Sequence, residues 1–255
     1  MSNRSLEGKS ALVTGASRGI GKGIALSFAR AGADLLLSAR SMDDLEQTAA
    51  QAREFGVRAE FVHMDAYDLD EVCGAVDAVT ERFGKIDILV NNAGGSRNVD
   101  GGWLGFMEST PRIVRELLEL NLVSPYFAAQ RAAEAMTRQG HGVILNITSS
   151  LADYPSDRIQ PYSAVKLALQ ELTKLWAVEL GPKGIRVNAI GPGPVESAQI
   201  EKIRVTRPDY NQHANVPLGR IGQPSDIGAA AVFLCSDEAS WVTGASLLVS
   251  GGRRG

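Results

Sequence analysis

The sequence has few cysteines and histidines and no long hydrophobic run. Its 255 residues include two cysteines, Cys73 and Cys235, and three scattered histidines, a pattern that indicates neither a disulfide framework nor a zinc site. The net charge of −3 gives no basic field for nucleic acid. No window approaches the roughly 18 apolar residues of a membrane span, and no signal peptide is evident. We therefore expect a cytoplasmic protein that binds no metal, membrane or nucleic acid and acts on small molecules.

Short apolar runs alternate with amphipathic helical patterns along most of the chain. The predicted strands cover 11–14, 35–38, 59–64, 86–90, 142–148, 185–190 and 246–249. The predicted helices cover 20–31, 42–55, 69–83, 121–138, 162–180 and 224–234. This alternation is typical of right-handed βαβ units. It predicts an α/β fold in which a doubly wound, seven-stranded, mainly parallel sheet carries helices on both faces, and 1–255 forms a single domain.

A glycine-rich turn follows the first predicted strand. The segment TGASRGIG, from Thr14 to Gly21, leads directly into a helix. Glycines at 15, 19 and 21 allow a tight turn, a close approach of the backbone to a pyrophosphate, and exposure of the helix amides to that anion. An ordinary turn is the alternative, but a strand before and a helix after are the context of a dinucleotide site. The spacing differs from the common G-x-G-x-x-G pattern.

A tyrosine and a lysine share one face of a predicted helix. Tyr162 and Lys166 stand at positions i and i+4, a spacing that is also common on solvated helices. A free tyrosine with a pKa of about 10 is a poor acid or base near neutrality. An ammonium about 4 Å away would lower that pKa by roughly three units. Ser149, thirteen residues earlier at the end of a strand, could donate to a substrate oxygen.

These motifs, in this order, resemble the classical short-chain dehydrogenase/reductase family. The landmarks are the glycine loop, NNAG at 91–94, Asn121, Ser149, YSAVK at 162–166, NAIGPGPV at 188–195 and the segment 219–252. They cover essentially the whole chain, in the manner of 3-oxoacyl-carrier-protein reductase-like members. The resemblance implies a Rossmann fold and an NAD(P)-dependent oxidoreductase that transfers hydride between the nicotinamide and a ketone or secondary alcohol.

The resemblance also implies four catalytic residues. Tyr162 would be the general acid/base, and Lys166 would tune its pKa and bind the ribose. Ser149 would orient the substrate. Asn121 would kink its helix and anchor a water molecule for proton relay.

A cofactor cleft follows from the same resemblance. Asp65 would bind the adenine amino group, and Pro192, Gly193 and Val195 would line the nicotinamide. The predicted cofactor residues are Gly15, Ser17, Arg18, Gly19, Ile20, Gly21, Arg40, Asp65, Ala66, Asn91, Ala93, Gly94, Tyr162, Lys166, Pro192, Gly193, Val195 and Ser197. Ser197 stands where the family usually has threonine and keeps the hydroxyl. Ser250 stands where the family commonly has aspartate, which affects only local packing or a subunit contact.

The second predicted strand ends without an acid. Acidic residues at this place bind the ribose 2′-OH and repel a 2′-phosphate, but Ser38, Ala39 and Arg40 occupy it here. Arg40, together with Arg18 in the glycine loop, could bind a phosphate. The sequence therefore predicts NADP(H) in preference to NAD(H).

Two acids follow that strand, but they have another interpretation. Asp43 and Asp44 come after Ser41, in the arrangement of a capping box with first-turn charges at a helix N-terminus.

Two irregular stretches, 94–111 and 191–220, follow strands and should project over the carboxyl edge of the sheet. Within the second, about 195–218 is predicted as a substrate lid. The first contributes apolar side chains for a pocket or an oligomer face, namely Trp103, Phe106 and Met107. The substrate is expected to be a small carbonyl or alcohol compound of open identity, and the resemblance suggests a homotetramer, or a dimer. A non-catalytic dinucleotide sensor or scaffold is the alternative, and a nucleotide-sugar epimerase or dehydratase would need a longer C-terminal part.

Overall fold

One parallel β-sheet forms the centre of the protein. The computed structural model describes residues 4–96, 105–154, 160–197 and 216–252. Within these ranges the sheet has seven strands in the order β3-β2-β1-β4-β5-β6-β7, and every described strand pair is parallel. The strands are β1 (Ser10–Thr14), β2 (Asp34–Ala39), β3 (Ala59–His63), β4 (Ile88–Asn91), β5 (Gly142–Ile147), β6 (Ile185–Pro192) and β7 (Ser246–Val249).

Helices cover both faces of the sheet. They are α1 (Gly19–Arg30), α2 (Met42–Arg53), α3 (Leu69–Phe83), α4 (Pro111–Leu118), α5 (Ser124–Gln139), α6 (Ser150–Asp153), α7 (Gln160–Leu180) and α8 (Pro224–Cys235). All five residues of β1 are buried, as expected for a central strand covered on both sides. Ala11 and Val13 pack in the cluster that contains α1 and α8 side chains. Leu12 points to the opposite cluster, which contains α3, α5 and α7 side chains.

The chain direction across the sheet reverses between β1 and β4. The chain runs outward from β1 to β3, returns to β4, and then runs outward to β7. In sheets of this kind the crevice at the reversal lies beyond the carboxyl ends of the strands and receives the ligand. The loops that follow β1 and β4, which contain the TGASRGIG and NNAG motifs, meet at this place.

The predicted fold class is confirmed, and the strands fall within two residues of their predicted bounds. The predicted helix that begins at Asn121 is different. A separate helix, α4, precedes it, and a π-helical turn (Glu119–Val123) joins α4 to α5. The sequence did carry a signal for α4, because Thr110 caps it through the Ile113 amide and Pro111 occupies its first turn, a common helix start.

A buried carboxylate joins three strands at the edge opposite the crevice. Asp87, 3% exposed, accepts from the backbone amide of Ser10 at 2.8 Å and from the Ser10 hydroxyl at 3.2 Å. It also contacts Lys85 Nζ at 2.8 Å and His141 Nε2 at 3.0 Å. Burial by itself would raise the pKa of Asp87, but the hydrogen bonds from Lys85, Ser10 and His141 lower it overall.

Substitution of Asp87 by asparagine should destabilise the fold in a pH-dependent way. Because the folded-state pKa is depressed, the carboxylate stabilises the protein above its ordinary pKa of 3.8, and this contribution is lost as the pH falls through the folded value. We expect Asp87→Asn to lower the free energy of unfolding by about 2 kcal/mol at pH 7, with a smaller difference near pH 3, measured by urea denaturation.

The matched control is Asp237→Asn, which removes an exposed carboxylate paired with Lys9 at 3.4 Å. Exposed pairs contribute less than about 1 kcal/mol. Equal losses for the two variants would contradict the role assigned to Asp87.

Candidate active site

The glycine loop makes the tight turn that its sequence predicts. Gly15 and Gly19 have φ values of +67° and +56°, which side-chain-bearing residues rarely adopt. A Cβ on Gly21 would collide with the Gly15 carbonyl oxygen and the Asn92 side chain. At the start of α1, Arg18 makes no side-chain capping bond, and the first turn contains no acid. The amides of this helix start therefore face no competing anion, and the loop fits a pyrophosphate.

Thr14 and Asn92 fasten the β1 loop to the β4 loop. The Thr14 hydroxyl accepts from the amides of Asn92 at 3.0 Å and Ala93 at 2.9 Å, and it donates to the Val90 carbonyl at 3.2 Å. In return, Asn92 Nδ2 donates to the carbonyls of Thr14 at 2.8 Å and Gly15 at 3.2 Å. Neither residue is among the predicted cofactor residues, although Thr14 stands in TGASRGIG and Asn92 in NNAG. Only the contacts between the two loops show what these side chains do.

The side chain of Asn91 is turned into the protein interior. Its Nδ2 donates to Asn146 Oδ1 at 2.9 Å and to the Pro125 carbonyl at 3.1 Å. Asn146 in turn donates to Thr173 Oγ1 at 2.9 Å, and that hydroxyl donates to the Leu169 carbonyl. A chain of buried hydrogen bonds to β5 and α7 therefore occupies the side-chain amide of Asn91. The predicted place of Asn91 beneath the cofactor stays a prediction that concerns its backbone.

Ser149 and Tyr162 meet at the carboxyl edge of the sheet. Ser149 is 7% exposed and caps α6, where its Oγ accepts from the Leu151 amide at 3.2 Å. The Tyr162 phenol, on the first turn of α7, is hydrogen-bonded to this hydroxyl. A serine that accepts from the backbone keeps its own O–H available as a donor. The predicted serine and tyrosine are thus brought together.

Lys166 lies one turn further along α7. It is 4% exposed, and its Nζ donates to the Ile147 carbonyl at the end of β5 at 2.9 Å. The same nitrogen lies 5.8 Å from the centroid of the Tyr162 ring. Burial lowers the pKa of Lys166 to about 8, because a charged ammonium loses hydration there.

The expectation that Lys166 lowers the pKa of Tyr162 is not met in this structure. Burial raises the pKa of Tyr162 to about 12, and the hydrogen bond with Ser149 offsets only part of that rise. The reason is geometric and electrostatic. The ammonium lies 5.8 Å from the centroid of the phenol ring, it is bonded to the Ile147 carbonyl, and burial disfavours its own charged form. Tyr162 is therefore protonated at neutral pH.

Asn121 lies in the π-helical turn, which agrees with the helix distortion implied for it. The residue is fully buried. Its Nδ2 donates to the carbonyls of Leu117 at 3.1 Å and Gly95 at 3.2 Å, and its Oδ1 accepts from the Gly95 amide at 2.9 Å. A Cβ on Gly94 would lie 2.8 Å from Asn121 Oδ1 and 3.3 Å from Lys166 Nζ. The loop after β4, the π turn and the lysine therefore form one continuous site.

The adenosine end of the cleft carries the two predicted arginines. Arg18 and Arg40 are exposed, and neither forms an ion pair with any residue in the described ranges. Asp65 accepts from the Tyr67 amide at 3.1 Å, while its own amide donates to Glu71 at 2.7 Å. Glu71 thus holds the loop after β3, with Ala66 buried beside Asp65. Ser17 and Ile20 lie partly buried in the glycine loop and the first turn of α1.

The predicted capping box at the start of α2 is only partly correct. Ser41 occupies the N-cap, and Asp43 and Asp44 lie in the first turn, but the Ser41 side chain makes no bond to a helix amide. Its hydroxyl donates to Asp44 Oδ2 at 2.7 Å. The short serine–carboxylate contact replaces the capping bond, so Asp44 is turned toward its own helix start.

The backbone after β6 is held by two neighbouring segments. The Gly193 amide donates to the Val249 carbonyl at 2.9 Å, and a Cβ on Gly193 would lie 2.7 Å from the Ser250 Cα. Val195 forms a bridge with Gly222. Pro192 and Val195 are buried, and Gly193 and Ser197 are partly exposed. Ser250 packs on the predicted nicotinamide loop, in line with a packing role.

Parts of the two irregular stretches are outside the described residues. The predicted lid is described only at 195–197 and 216–218, and Trp103 also lies outside the described ranges. Phe106 and Met107 are 76% and 89% exposed. In the described part of the chain, no helix is long and apolar enough to cross a membrane, and no cluster of three His, Cys, Asp or Glu residues is placed to hold a metal.

The fold and site define a dinucleotide-binding oxidoreductase, and comparison with known proteins gives its family. Residues 15–254 match a family model described as enoyl-(acyl carrier protein) reductase. The chain is 38% identical over 250 residues to the 7α-hydroxysteroid dehydrogenase of Escherichia coli K12, covering 98% of this chain and 96% of the relative. It is 34% identical over 247 residues to the 3-oxoacyl-[acyl-carrier-protein] reductase of Thermotoga maritima, covering 97% and 98%.

Solved structures agree with this relationship. A 7α-hydroxysteroid dehydrogenase complexed with NADH and 7-oxo-glycochenodeoxycholic acid has a TM-score of 0.91 at 38% identity, covering 99% of this chain and 96% of that chain. A short-chain dehydrogenase/reductase from Mycobacterium ulcerans has a TM-score of 0.90 at 32% identity, covering 98% and 92%. The chain belongs to the classical short-chain dehydrogenase/reductase family. It is an oxidoreductase of alcohols and carbonyl compounds with a nicotinamide dinucleotide cofactor.

Replacement of Thr14 by valine should weaken the contact between the β1 and β4 loops. Valine keeps the shape but leaves the amides of Asn92 and Ala93 without their acceptor. We expect a loss of about 3 kcal/mol in the free energy of unfolding, measured by urea denaturation. Thr14→Ser, which retains the hydroxyl, is the matched control and should lose about 1 kcal/mol or less. Similar losses in both variants would show that the methyl group, and not the hydroxyl, stabilises these loops.

Proposed function

We propose that the protein is an NADP(H)-dependent oxidoreductase that transfers hydride between the nicotinamide and a ketone or secondary alcohol, with Tyr162 as general acid/base. The observation that carries this proposal is the convergence of Ser149, Tyr162 and Lys166 at one point of the sheet edge, beside the glycine loop. A protein that only senses or displays a dinucleotide has no need of this trio.

The protonation states favour proton donation by Tyr162. Carbonyl reduction produces an alkoxide, which is a stronger base than a tyrosinate. A phenol with a pKa of about 12 is protonated at pH 7 and can still give its proton to that alkoxide. Ser149 can donate its O–H to the same substrate oxygen and hold it as charge develops. In the reverse direction Tyr162 would first have to lose its proton, so alcohol oxidation should favour alkaline conditions.

Lys166 and Asn121 complete the proton machinery in this proposal. The Lys166 ammonium faces both the Tyr162 ring and the backbone at Gly94, a position from which it can stabilise tyrosinate and contact a ribose hydroxyl. Asn121 holds the backbone of Gly95, the residue after Gly94. In this position it lies on the path that a proton relay from Lys166 would follow. The bound nicotinamide supplies or accepts the hydride, and the remaining steps belong to these side chains.

The preference for NADP(H) rests on charge at the adenosine end. Arg40 directly follows β2, where family members that prefer NAD(H) carry an acid, and Arg18 lies at the start of α1. Asp44, an acid on the following helix, is engaged by Ser41. Two exposed guanidinium groups without carboxylate partners in the described residues suit a 2′-phosphate.

The substrate proposal is kept to the chemistry that the relatives share. Their names include a hydroxysteroid dehydrogenase, an L-rhamnose 1-dehydrogenase that uses NAD(P)+ and a 3-oxoacyl-carrier-protein reductase. All three names describe the interconversion of an alcohol and a carbonyl group. Ser149 and Tyr162 can support this reaction. We therefore propose a small-molecule ketone or secondary alcohol as substrate.

Tyr162→Phe tests the catalytic assignment. The variant removes only the phenolic oxygen, so turnover should fall by at least about 1,000-fold while cofactor affinity stays within about threefold. Turnover is measured as loss of NADPH absorbance against a panel of carbonyl compounds, and affinity by quenching of protein fluorescence. Retained turnover would refute the role of Tyr162. A wild-type chain that binds NADPH and turns over no substrate in the panel would instead support a sensor or scaffold.

Arg40→Ala and Arg18→Ala test the cofactor preference. Each should raise KM for NADPH by about 10-fold or more while leaving KM for NADH nearly unchanged, because only NADPH carries the 2′-phosphate; each such factor corresponds to about 1.4 kcal/mol. The matched control is Arg53→Ala, which removes an arginine from α2, the helix that carries Asp44. Because Arg53 is bonded to the Ala59 carbonyl, its loss should not change the preference between the two cofactors. A wild-type preference for NADH would contradict the proposal.

We further propose that the protein is a homotetramer, or a dimer, through α5, α7 and β7. Exposed apolar residues support this proposal, for Leu175 and Val178 on α7 are 57% and 78% exposed, and Leu247 on the edge strand β7 is 39% exposed. A surface groove of about 370 Å³ between α5 and α7 has Tyr126 and Trp176 in its lining.

Light scattering coupled to size-exclusion chromatography is the measurement for this assembly. At micromolar concentration we expect the mass of a tetramer or dimer, and Val178→Glu should shift it toward the monomer because it places a charge on the exposed α7 face. A wild-type monomer would refute the proposal.

A further inference from the structure

The serine of the site depends on a very short helix for its position. Ser149 caps α6, which has only four residues. Its Oγ accepts from the Leu151 amide, and its carbonyl accepts from the Ala152 amide at 3.0 Å. These bonds orient Ser149 with respect to α6, while the preceding residue, Thr148, is bonded to the Ile190 carbonyl of β6. Because the sheet thus fixes only one side of Ser149, its distance to the tyrosine on α7 also depends on how α6 is held against α7.

A second contact joins the two helices at the far end of α6. Gln170 Nε2 on α7 donates to Asp153 Oδ1, the last residue of α6, at 2.8 Å. Gln170 is 8% exposed and follows Tyr162 and Lys166 at successive four-residue steps, which places all three on one face of α7. Among the described residues, two side-chain hydrogen bonds thus join this short helix and its cap to α7. One runs from Gln170 to Asp153, and the other is between Tyr162 and Ser149, the residue that caps α6.

The orientation of the Gln170 amide is set by Asp153. A carboxylate only accepts, so the amide nitrogen and not the oxygen must face it. Gln170 Oε1 is buried on the other side without a hydrogen-bond partner among the described residues, a cost that buried amides normally avoid. The amide keeps this orientation because a hydrogen bond to a carboxylate is stronger than one between neutral groups.

We propose that the Gln170–Asp153 hydrogen bond is a positioning device that holds Ser149 at hydrogen-bond distance from Tyr162. The proposal rests on the proposed function, since it concerns the geometry of the same reaction. Ser149 begins α6 and Asp153 ends it, so two hydrogen bonds, one at each end, dock this turn on the α7 face that carries the tyrosine and lysine. Neither Gln170 nor Asp153 contacts the reacting atoms.

A reversed donor–acceptor pair tests the device. Gln170→Glu places two carboxylates in contact and should lower kcat by at least about 10-fold, while the Kd of NADPH stays within about twofold, because the cofactor cradle is formed by other loops. Asp153→Asn keeps an acceptor oxygen for Gln170 and should stay within about threefold of wild type. The double variant Q170E/D153N restores a donor facing a carboxylate and should recover kcat to within about threefold.

Two further variants control this series. Gln51→Glu adds the same charge on an exposed position of α2 and should leave kcat and stability unchanged. Gln170→Leu removes the amide without adding charge. It should lower kcat about 5-fold or more with unchanged NADPH affinity, and it keeps the test valid if Q170E does not fold.

Hydrogen exchange gives a readout that does not depend on activity. The amides of Leu151, Ala152 and Tyr154 are bonded within α6, and their exchange should accelerate at least about 10-fold in Q170E or Q170L and return to the wild-type rate in Q170E/D153N. Unchanged exchange in both single variants overturns the proposal. Accelerated exchange with wild-type kcat also overturns it, because α6 would then move without consequence for Ser149.

Failure of the proposed function is distinguishable from failure of this inference. A wild-type protein that reduces no carbonyl and oxidises no alcohol contradicts the proposed function. In that case the exchange rates alone test whether the Gln170–Asp153 bond docks α6 on α7. Slower exchange restored in the double variant supports this docking, and unchanged rates in the single variants refute it. In an active wild type, absence of kinetic rescue in Q170E/D153N refutes the device.

Discussion

The hydrogen bond from Lys166 Nζ to the Ile147 carbonyl fixes α7 on the sheet. Ile147 is the last residue of β5, so this bond, 2.9 Å long, places the lysine at the carboxyl edge. One turn back along α7 the phenol of Tyr162 then falls against Ser149, which follows β5 by two residues. A parallel sheet brings its carboxyl ends to one edge, and this buried ammonium links that edge to the helix. The remaining site residues are placed with respect to it.

Buried polar groups below the site keep the same helix in register. Asn91 on β4, Asn146 on β5 and Thr173 on α7 form a chain of hydrogen bonds in the protein interior. Each group would be costly to leave unpaired, so sliding α7 along the sheet would break the bond from Asn146 to Thr173 together with the bond from Lys166 to Ile147. This explains why an asparagine of the NNAG motif has no access to the cleft. Asn91 joins β4 to β5 and to the start of α5, while its neighbour Asn92 fastens the glycine loop.

The sequence predicted the sheet, its order of motifs and the clustering of Ser149, Tyr162 and Lys166, because these depend on periodicity and on fixed spacings along single elements. It did not predict features that depend on contacts between distant segments. Three features depend on such contacts: the inward turn of Asn91, the role of Thr14 between two loops, and the contact of Gln170 with Asp153. Helix α4 is not among the predicted helices although Thr110 and Pro111 mark its start, because the glycine-rich segment before it favours an irregular structure.

The electrostatics of the tyrosine illustrate the same limit of sequence reasoning. A spacing of four residues correctly placed Lys166 near Tyr162, but spacing alone does not give the dielectric surroundings. Burial raises the pKa of the phenol to about 12 and lowers the pKa of the ammonium to about 8, so both groups are driven toward their neutral forms. Stabilisation of tyrosinate must therefore come from charge or hydrogen bonds brought in addition to Lys166. The hydrogen bond between Ser149 and Tyr162 is one such contribution, so the pKa of the phenol depends on the position of that serine.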